Sequence, residues 1–128
     1  MTEGRGLLVV DDEEYNRSFL RRVLGREHAI READCADAAL AVLTSEPALV
    51  VLCDHLMPGR SGADLAGEVA ARWPNTVTLL LTGLDDDPEV VAAVSVGQVF
   101  EVVQKPCDVM TIRAALVRAL TEATRRSG

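Results

Sequence analysis

Four short apolar runs, at 7–10, 49–53, 77–81 and 99–103, constrain the fold of this chain more than anything else in it. Two are uninterrupted, the third carries one polar residue, Thr78, and the last is broken at Phe100-Glu101. A strand buried on one face alternates apolar and polar residues. A strand covered on both faces reads instead as a continuous Val- and Leu-rich run, as in a parallel sheet. A weaker fifth strand fits 28–33, and its polar content places it at an edge.

Stretches of helical spacing with recognisable starts lie between the runs. Glu13 and Glu14 put negative charge in the first turn of a helix whose apolar face carries Phe19, Leu20, Val23 and Leu24. Asp34 is placed to cap a helix over 36–44 bearing Leu40 and Leu43. Ser61 and Asp64 form a capping-box-like pair before Leu65, Val69 and Trp73, and Pro74 ends that helix. Asp87-Pro88 has the N-cap and N1 arrangement for a helix to about Val96. Asp108 caps the last helix, with Val109, Ile112, Leu116 and Leu120 as its stripe. Strand and helix thus alternate five times, which predicts right-handed crossovers and a parallel sheet with helices on both faces. At 128 residues the chain is read as one domain over 1–128, with its core at about 6–121 and 122–128 as a fraying tail or severed linker.

Composition narrows the function. A net charge of −7 argues against direct nucleic-acid binding. No apolar run approaches the ~20 residues that span a bilayer. Residues 1–6 lack the basic and apolar regions of a signal peptide, so the cytoplasm is the expected compartment. Cys35, Cys53 and Cys107 are scattered and form no CxxC pair, so they read as small apolar residues, not as a zinc site. Of thirteen cationic residues, twelve are Arg and one is Lys105. An ammonium is a compact point charge where a guanidinium is a planar fork, so the exception draws attention to position 105.

In open α/β sheets, ligands bind beyond the carboxyl ends of the strands. The residues that follow the strands here are Asp11 and Asp12, then Asp54, then Thr82 and Gly83, then Lys105. Three carboxylates in one pocket repel each other, and a hard divalent cation relieves that repulsion. Carboxylates serve as phosphoryl acceptors, and charge on a phosphoryl group in transfer needs fixed positive and hydrogen-bonding partners. Gly83 leaves room for an incoming group and Gly59 lets the loop after Asp54 turn sharply. The plain alternatives are that Asp11 and Asp12 cap a helix, Asp54 sits in a turn, Thr82 bonds locally, and Lys105 is a solvated loop cation. His55, next to Asp54, points away from the pocket if the strand alternation continues through it.

These residues resemble the response-regulator receiver family. The resemblance runs from about Leu7 to Leu120 and is carried by LVVDDEE, VVLCDHLMPGRSG, LLLTG and VVQKP. It implies a flavodoxin-like (βα)5 three-layer sandwich with a parallel five-stranded sheet of order 2-1-3-4-5. It implies that Asp54 accepts a phosphoryl group from phosphohistidine on a sensor histidine kinase or histidine phosphotransfer protein. Asp12, Asp54 and the Leu56 backbone carbonyl would bind Mg2+ (or Mn2+) directly and Asp11 through water, while Thr82 and Lys105 contact the phosphoryl oxygens. No organic cofactor is implied. The donor would dock on the first helix near Arg17 and Leu20. Output would pass to a downstream domain, or to a homodimer, through the face built by the fourth helix, fifth strand and fifth helix.

Two positions depart from the family pattern. Family members commonly carry an aromatic residue three before the Lys, where this chain has Val102; Phe100, two residues earlier, is the candidate substitute. The residues two beyond Asp54 and two beyond Thr82 are Leu56 and Leu84, which exclude an attacking water more than they orient one. An aspartyl phosphohydrolase would want a second carboxylate at 56 and a cap insertion, and the chain has neither. An unphosphorylated pseudo-receiver scaffold is the other rival.

Overall fold

A computed structural model describes residues 6–83 and 86–128. Ten elements alternate along the chain: β1 (Leu7–Val10), α1 (Glu14–Leu24), β2 (Ile30–Ala33), α2 (Ala36–Ser45), β3 (Val50–Asp54), α3 (Gly62–Arg72), β4 (Val77–Thr82), α4 (Pro88–Ser95), β5 (Glu101–Gln104) and α5 (Val109–Ser127). All strand pairs are parallel and the sheet order is β2-β1-β3-β4-β5. This is the flavodoxin-like order that the family resemblance implies.

Continuous apolar strands follow from burial on both faces. Leu8, Val10, Val51, Cys53 and Leu80 pack under α2, α3 and α4. Their neighbours Leu7, Val9, Leu52, Leu79 and Leu81 pack under α1 and α5. The two-residue period of the strand thus divides each run between two cores. Each fully buried Leu stabilises the fold by about 1.5–3 kcal/mol.

The edge strand β2 keeps its charges by pairing them in opposite directions. Arg31 donates to the carbonyls of Val42 (3.3 Å) and Pro47 (3.1 Å) on the α2 side, whereas Glu32 accepts from Arg17 and Arg21 of α1.

Several boundaries differ from the sequence reading. The strand expected over 28–33 starts at Ile30, because the Gly25 and His28 amides bond back to Arg21 and Leu24 and prolong the end of α1. The strand expected over 49–53 is shifted by one residue to end on Asp54, and the one expected over 77–81 ends on Thr82. The run at 99–103 becomes a strand only from Glu101. The Gln98 and Val99 amides both bond to the Ala93 carbonyl, after Gly97 turns the chain at φ +82°. Cys35, not Asp34, caps α2, its thiol sulfur accepting from the Ala38 amide at 3.4 Å. Ser61 caps α3 through the Asp64 amide, but the Asp64 carboxylate turns to Arg60 (2.8 Å), so the capping is one-sided. Trp73 is the C-cap of α3, with the Arg72 guanidinium 4.5 Å over its ring.

The largest correction is at the end of the chain. Residues 122–127 are not a frayed tail but the last turns of α5. Ala123 is buried, Glu122 pairs with Arg125 and Arg126, and Arg126 also donates to the Pro74 and Thr76 carbonyls.

Leu79→Ala should lower the unfolding free energy by about 3 kcal/mol in urea titration, since it opens a cavity under α5. Met110→Ala, at a side chain 79% exposed, should change it by less than ~0.5 kcal/mol. Equal effects would contradict the assignment of the two cores.

Candidate functional site

The strand register brings four chain segments to one end of the sheet. Val10 lies beside Cys53, Asp54 beside Leu81, and Thr82 beside Gln104. The residues that end or follow these strands therefore share one rim. The Asp11 amide continues the β1 ladder by donating to the Ala33 carbonyl (3.1 Å), and the Lys105 amide does the same to the Thr82 carbonyl (3.0 Å).

Carboxylate oxygens of Asp11, Asp12 and Asp54 all lie within 4.8 Å of one another. Asp11 is buried and Asp12 is exposed. Lys105 Nζ donates to Asp54 Oδ1 at 3.1 Å and stands 3.9 Å from Asp11 Oδ2. Asp11 Oδ1 also accepts from the Glu13 amide at 2.9 Å. Burial pushes the Asp11 carboxyl above its usual pKa. The Glu13 amide opposes this, the Asp54 charge adds to it, and Lys105 and Asn16 oppose it more weakly. Oxygen donors of this kind, held together against their mutual repulsion, fit a hard divalent cation.

Thr82 is buried at the end of β4. Leu56 is 60% exposed beside the rim, and Leu84 lies outside the described residues. A cavity of about 400 Å³ opens next to Asp11 and Lys105, walled by Phe19, Leu20, Cys107 and Ile112 among others.

His55 does turn away from the rim. Its Nδ1 accepts from the Ala63 amide (3.3 Å), and its Nε2 faces Glu89 (3.7 Å) and Asp87 (3.9 Å). A ring whose Nδ1 accepts carries its proton on Nε2, so this second cluster with Asp87 and Glu89 offers those carboxylates an N–H, not a free lone pair for a metal.

Two sequence expectations need correction. Phe100 does not share a face with Val102. Val102 packs on the α2–α4 side and Phe100 on the α1–α5 side, because Phe100 precedes the regular strand. Phe100 therefore does not stand in for the missing aromatic. Arg17 and Leu20 are also not free on the surface of α1. Leu20 is 4% exposed and the Arg17 side chain 16%, whereas Tyr15 is 75% exposed. At Gly83, expected to leave room for an incoming group, a Cβ would meet among the described residues the Lys105 carbonyl oxygen alone, at an ordinary 3.6 Å.

The sequence reading passed over Gly62. A Cβ at Gly62 would lie 2.3 Å from the Asp54 carbonyl oxygen and 2.9 Å from His55 Cα. Only glycine lets α3 begin against the backbone of Asp54. The signal available was its place directly after the Ser61 cap, where the loop from Asp54 doubles back.

The fold and this rim define a class: a flavodoxin-like α/β domain with an acidic cluster and one ammonium at the carboxyl end of its sheet. The chain belongs to the response regulator receiver domain family, whose model matches residues 7–117. It is a receiver domain of the kind found in two-component response regulators, and its role is in signalling and regulation. It is 37% identical over 100 residues to the hydrogenase transcriptional regulatory protein HoxA of Cupriavidus necator, covering 78% of this chain and 21% of HoxA. It is 31% identical over 119 residues to the DNA-binding transcriptional regulator NtrC of Salmonella typhimurium, covering 91% of this chain and 25% of NtrC. The chain thus spans about a fifth to a quarter of these relatives' length. Among solved structures, the signal receiver domain of an HD domain-containing protein from Pseudomonas fluorescens Pf-5 superposes with a TM-score of 0.88 at 26% identity, covering 99% of this chain and 94% of that one. Among the described residues no helix is long and apolar enough to cross a membrane.

Because the folded protein holds the Asp11 proton more tightly than the unfolded chain does, the contribution of Asp11 to stability falls as pH rises through the window above the usual value of 3.8. At neutral pH and without divalent cations, Asp11→Asn should therefore raise the thermal midpoint, by roughly 3 °C for ~1 kcal/mol. A midpoint that falls would contradict the burial argument.

Proposed function

We propose that this domain accepts a phosphoryl group on Asp54 from a phosphohistidine donor and signals through the resulting rearrangement of the rim. The observation that carries this reading is the 3.1 Å contact between Lys105 Nζ and Asp54 Oδ1, next to the Asp11 and Asp12 carboxylates.

Asp12, Asp54 and the Leu56 carbonyl would hold a magnesium or manganese ion, and Asp11 would act through water. Such an ion neutralises the crowded carboxylates and draws charge from phosphoryl oxygens. Asp54 attacks phosphorus with one carboxylate oxygen. A P–O bond forms, the P–N bond to the donor imidazole breaks, and the electron pair leaves with that ring. Lys105 swings from the carboxylate to a phosphoryl oxygen, and Thr82, at the end of β4, contacts another. Both stabilise charge that grows as the group transfers.

The donor is a sensor histidine kinase or a histidine phosphotransfer protein in the cytoplasm. It meets α1 through exposed residues such as Tyr15, on the helix whose Asn16, Phe19 and Leu20 line the cavity next to Lys105. Output runs through α4, β5 and α5 to a following domain or a second copy. Two relatives are named as transcriptional regulators, and the chain matches only a fraction of each. This supports reading it as the receiver unit of a longer regulator.

With acetyl phosphate and magnesium, the wild-type protein should gain one phosphoryl group by intact mass and Asp54→Asn none. Lys105→Ala should slow the gain about 100-fold. A wild type that gains no mass would favour a scaffold that is never phosphorylated, and turnover of a small phosphoester would favour a hydrolase.

Leu56, and Leu84 by sequence, put apolar side chains at the two flanking positions, which exclude an attacking water more than they orient it, so the phosphoform should persist for hours. Loss of the group within minutes in the presence of magnesium would contradict this.

A further inference from the structure

We propose that Arg17 is a positioning residue for the acidic pair, fixing the Asp11–Asp12 peptide so that both carboxylates face Asp54. The proposal rests on the reading of these carboxylates as cation ligands.

Although it lies on a surface helix, Arg17 is folded inward. Its Nη1 donates to the Asp11 backbone carbonyl at 2.7 Å, its Nε to Glu32 Oε1 of β2 at 3.2 Å, and its Nη2 to Glu14 Oε1 at 2.5 Å. One planar group therefore ties the first turn of its own helix to two other segments, the Asp11 junction and β2. A guanidinium can do this because its donors form a rigid fork, and the single ammonium of a Lys cannot reproduce it. Arg21 also bonds to Glu32, which keeps that carboxylate turned toward α1.

The first of these contacts bears on the site. The carbonyl of Asp11 belongs to the peptide that joins Asp11 to Asp12, and a peptide unit is planar. Holding its oxygen sets the plane from which both side chains leave. The Asp11 carboxylate is then held a second time by the Glu13 amide (2.9 Å). Without Arg17 the buried carbonyl loses a charge-assisted partner and three crowded carboxylates push the junction open. Groups that orient metal ligands without touching the metal commonly control affinity this way.

A purely structural role would tie α1 to β2 and nothing more, and the variants separate the two. Glu32→Gln weakens the tie between α1 and β2 but keeps the bond to the Asp11 carbonyl. Arg17→Met removes both. Mn2+ binding followed by calorimetry should weaken about tenfold in Arg17→Met and less than about threefold in Glu32→Gln, with Arg17→Lys between them. At saturating Mn2+, phosphorylation of Arg17→Met by acetyl phosphate should return to within about threefold of wild type, because Arg17 touches neither phosphorus nor Asp54. Should Arg17→Met not fold, the position of Arg17→Lys between wild type and Asp12→Asn carries the same test.

Wild-type-like Mn2+ affinity in the Arg17 variants overturns the proposal, and so does an equal loss in Glu32→Gln. Absence of Mn2+ binding by the wild type overturns the cation reading itself, and is told apart by that measurement alone.

Discussion

Three carboxylates within 4.8 Å of one another are an unfavourable arrangement for any folded chain. Their closeness is imposed by the sheet, because β1, β3, β4 and β5 run parallel and in register, so whatever ends them must share a rim. Lys105 offsets part of the repulsion, and burial of Asp11 makes it worse. The domain thus holds electrostatic stress at one place, while many of its charges elsewhere sit in ion pairs. The mesh of Glu14, Arg17, Arg21 and Glu32 and the pair Glu101–Arg118 are instances. Stress of this kind is a lever, since a cation or a phosphoryl group bound there would change the balance at that rim.

The fold was legible in the sequence because a strand covered on both faces leaves an apolar run that little else produces. Order and layering followed from strand-helix alternation and the family resemblance. Boundaries were less legible, for local reasons. Gly97 delays β5, backbone bonds prolong α1 past Leu24, and ion pairs around Glu122 carry α5 to Ser127. None of these shows as a change in hydropathy.

For the site, Asp11, Asp12, Asp54 and Lys105 could be read because charged residues directly after buried runs are conspicuous. What escaped was the scaffold around them. Gly62 matters because of a through-space approach to the Asp54 carbonyl, and Arg17 because its guanidinium turns inward. In the sequence both look ordinary, a small residue in a loop and a cation on a polar helix face. Phe100 failed the other way. Counting by two put it beside Val102, but the count holds only within a strand, and β5 begins after it.

Paramagnetic broadening by Mn2+ in a two-dimensional amide spectrum tests the central claim most directly, since it reports where a cation sits without requiring turnover. Amides near residues 11–13, 54–56, 82–83 and 105 should broaden first at low Mn2+, before those of Asp87 and Glu89 in the second cluster. Broadening that centres on Asp87 and Glu89, or spreads evenly over the acidic surface, would contradict the account.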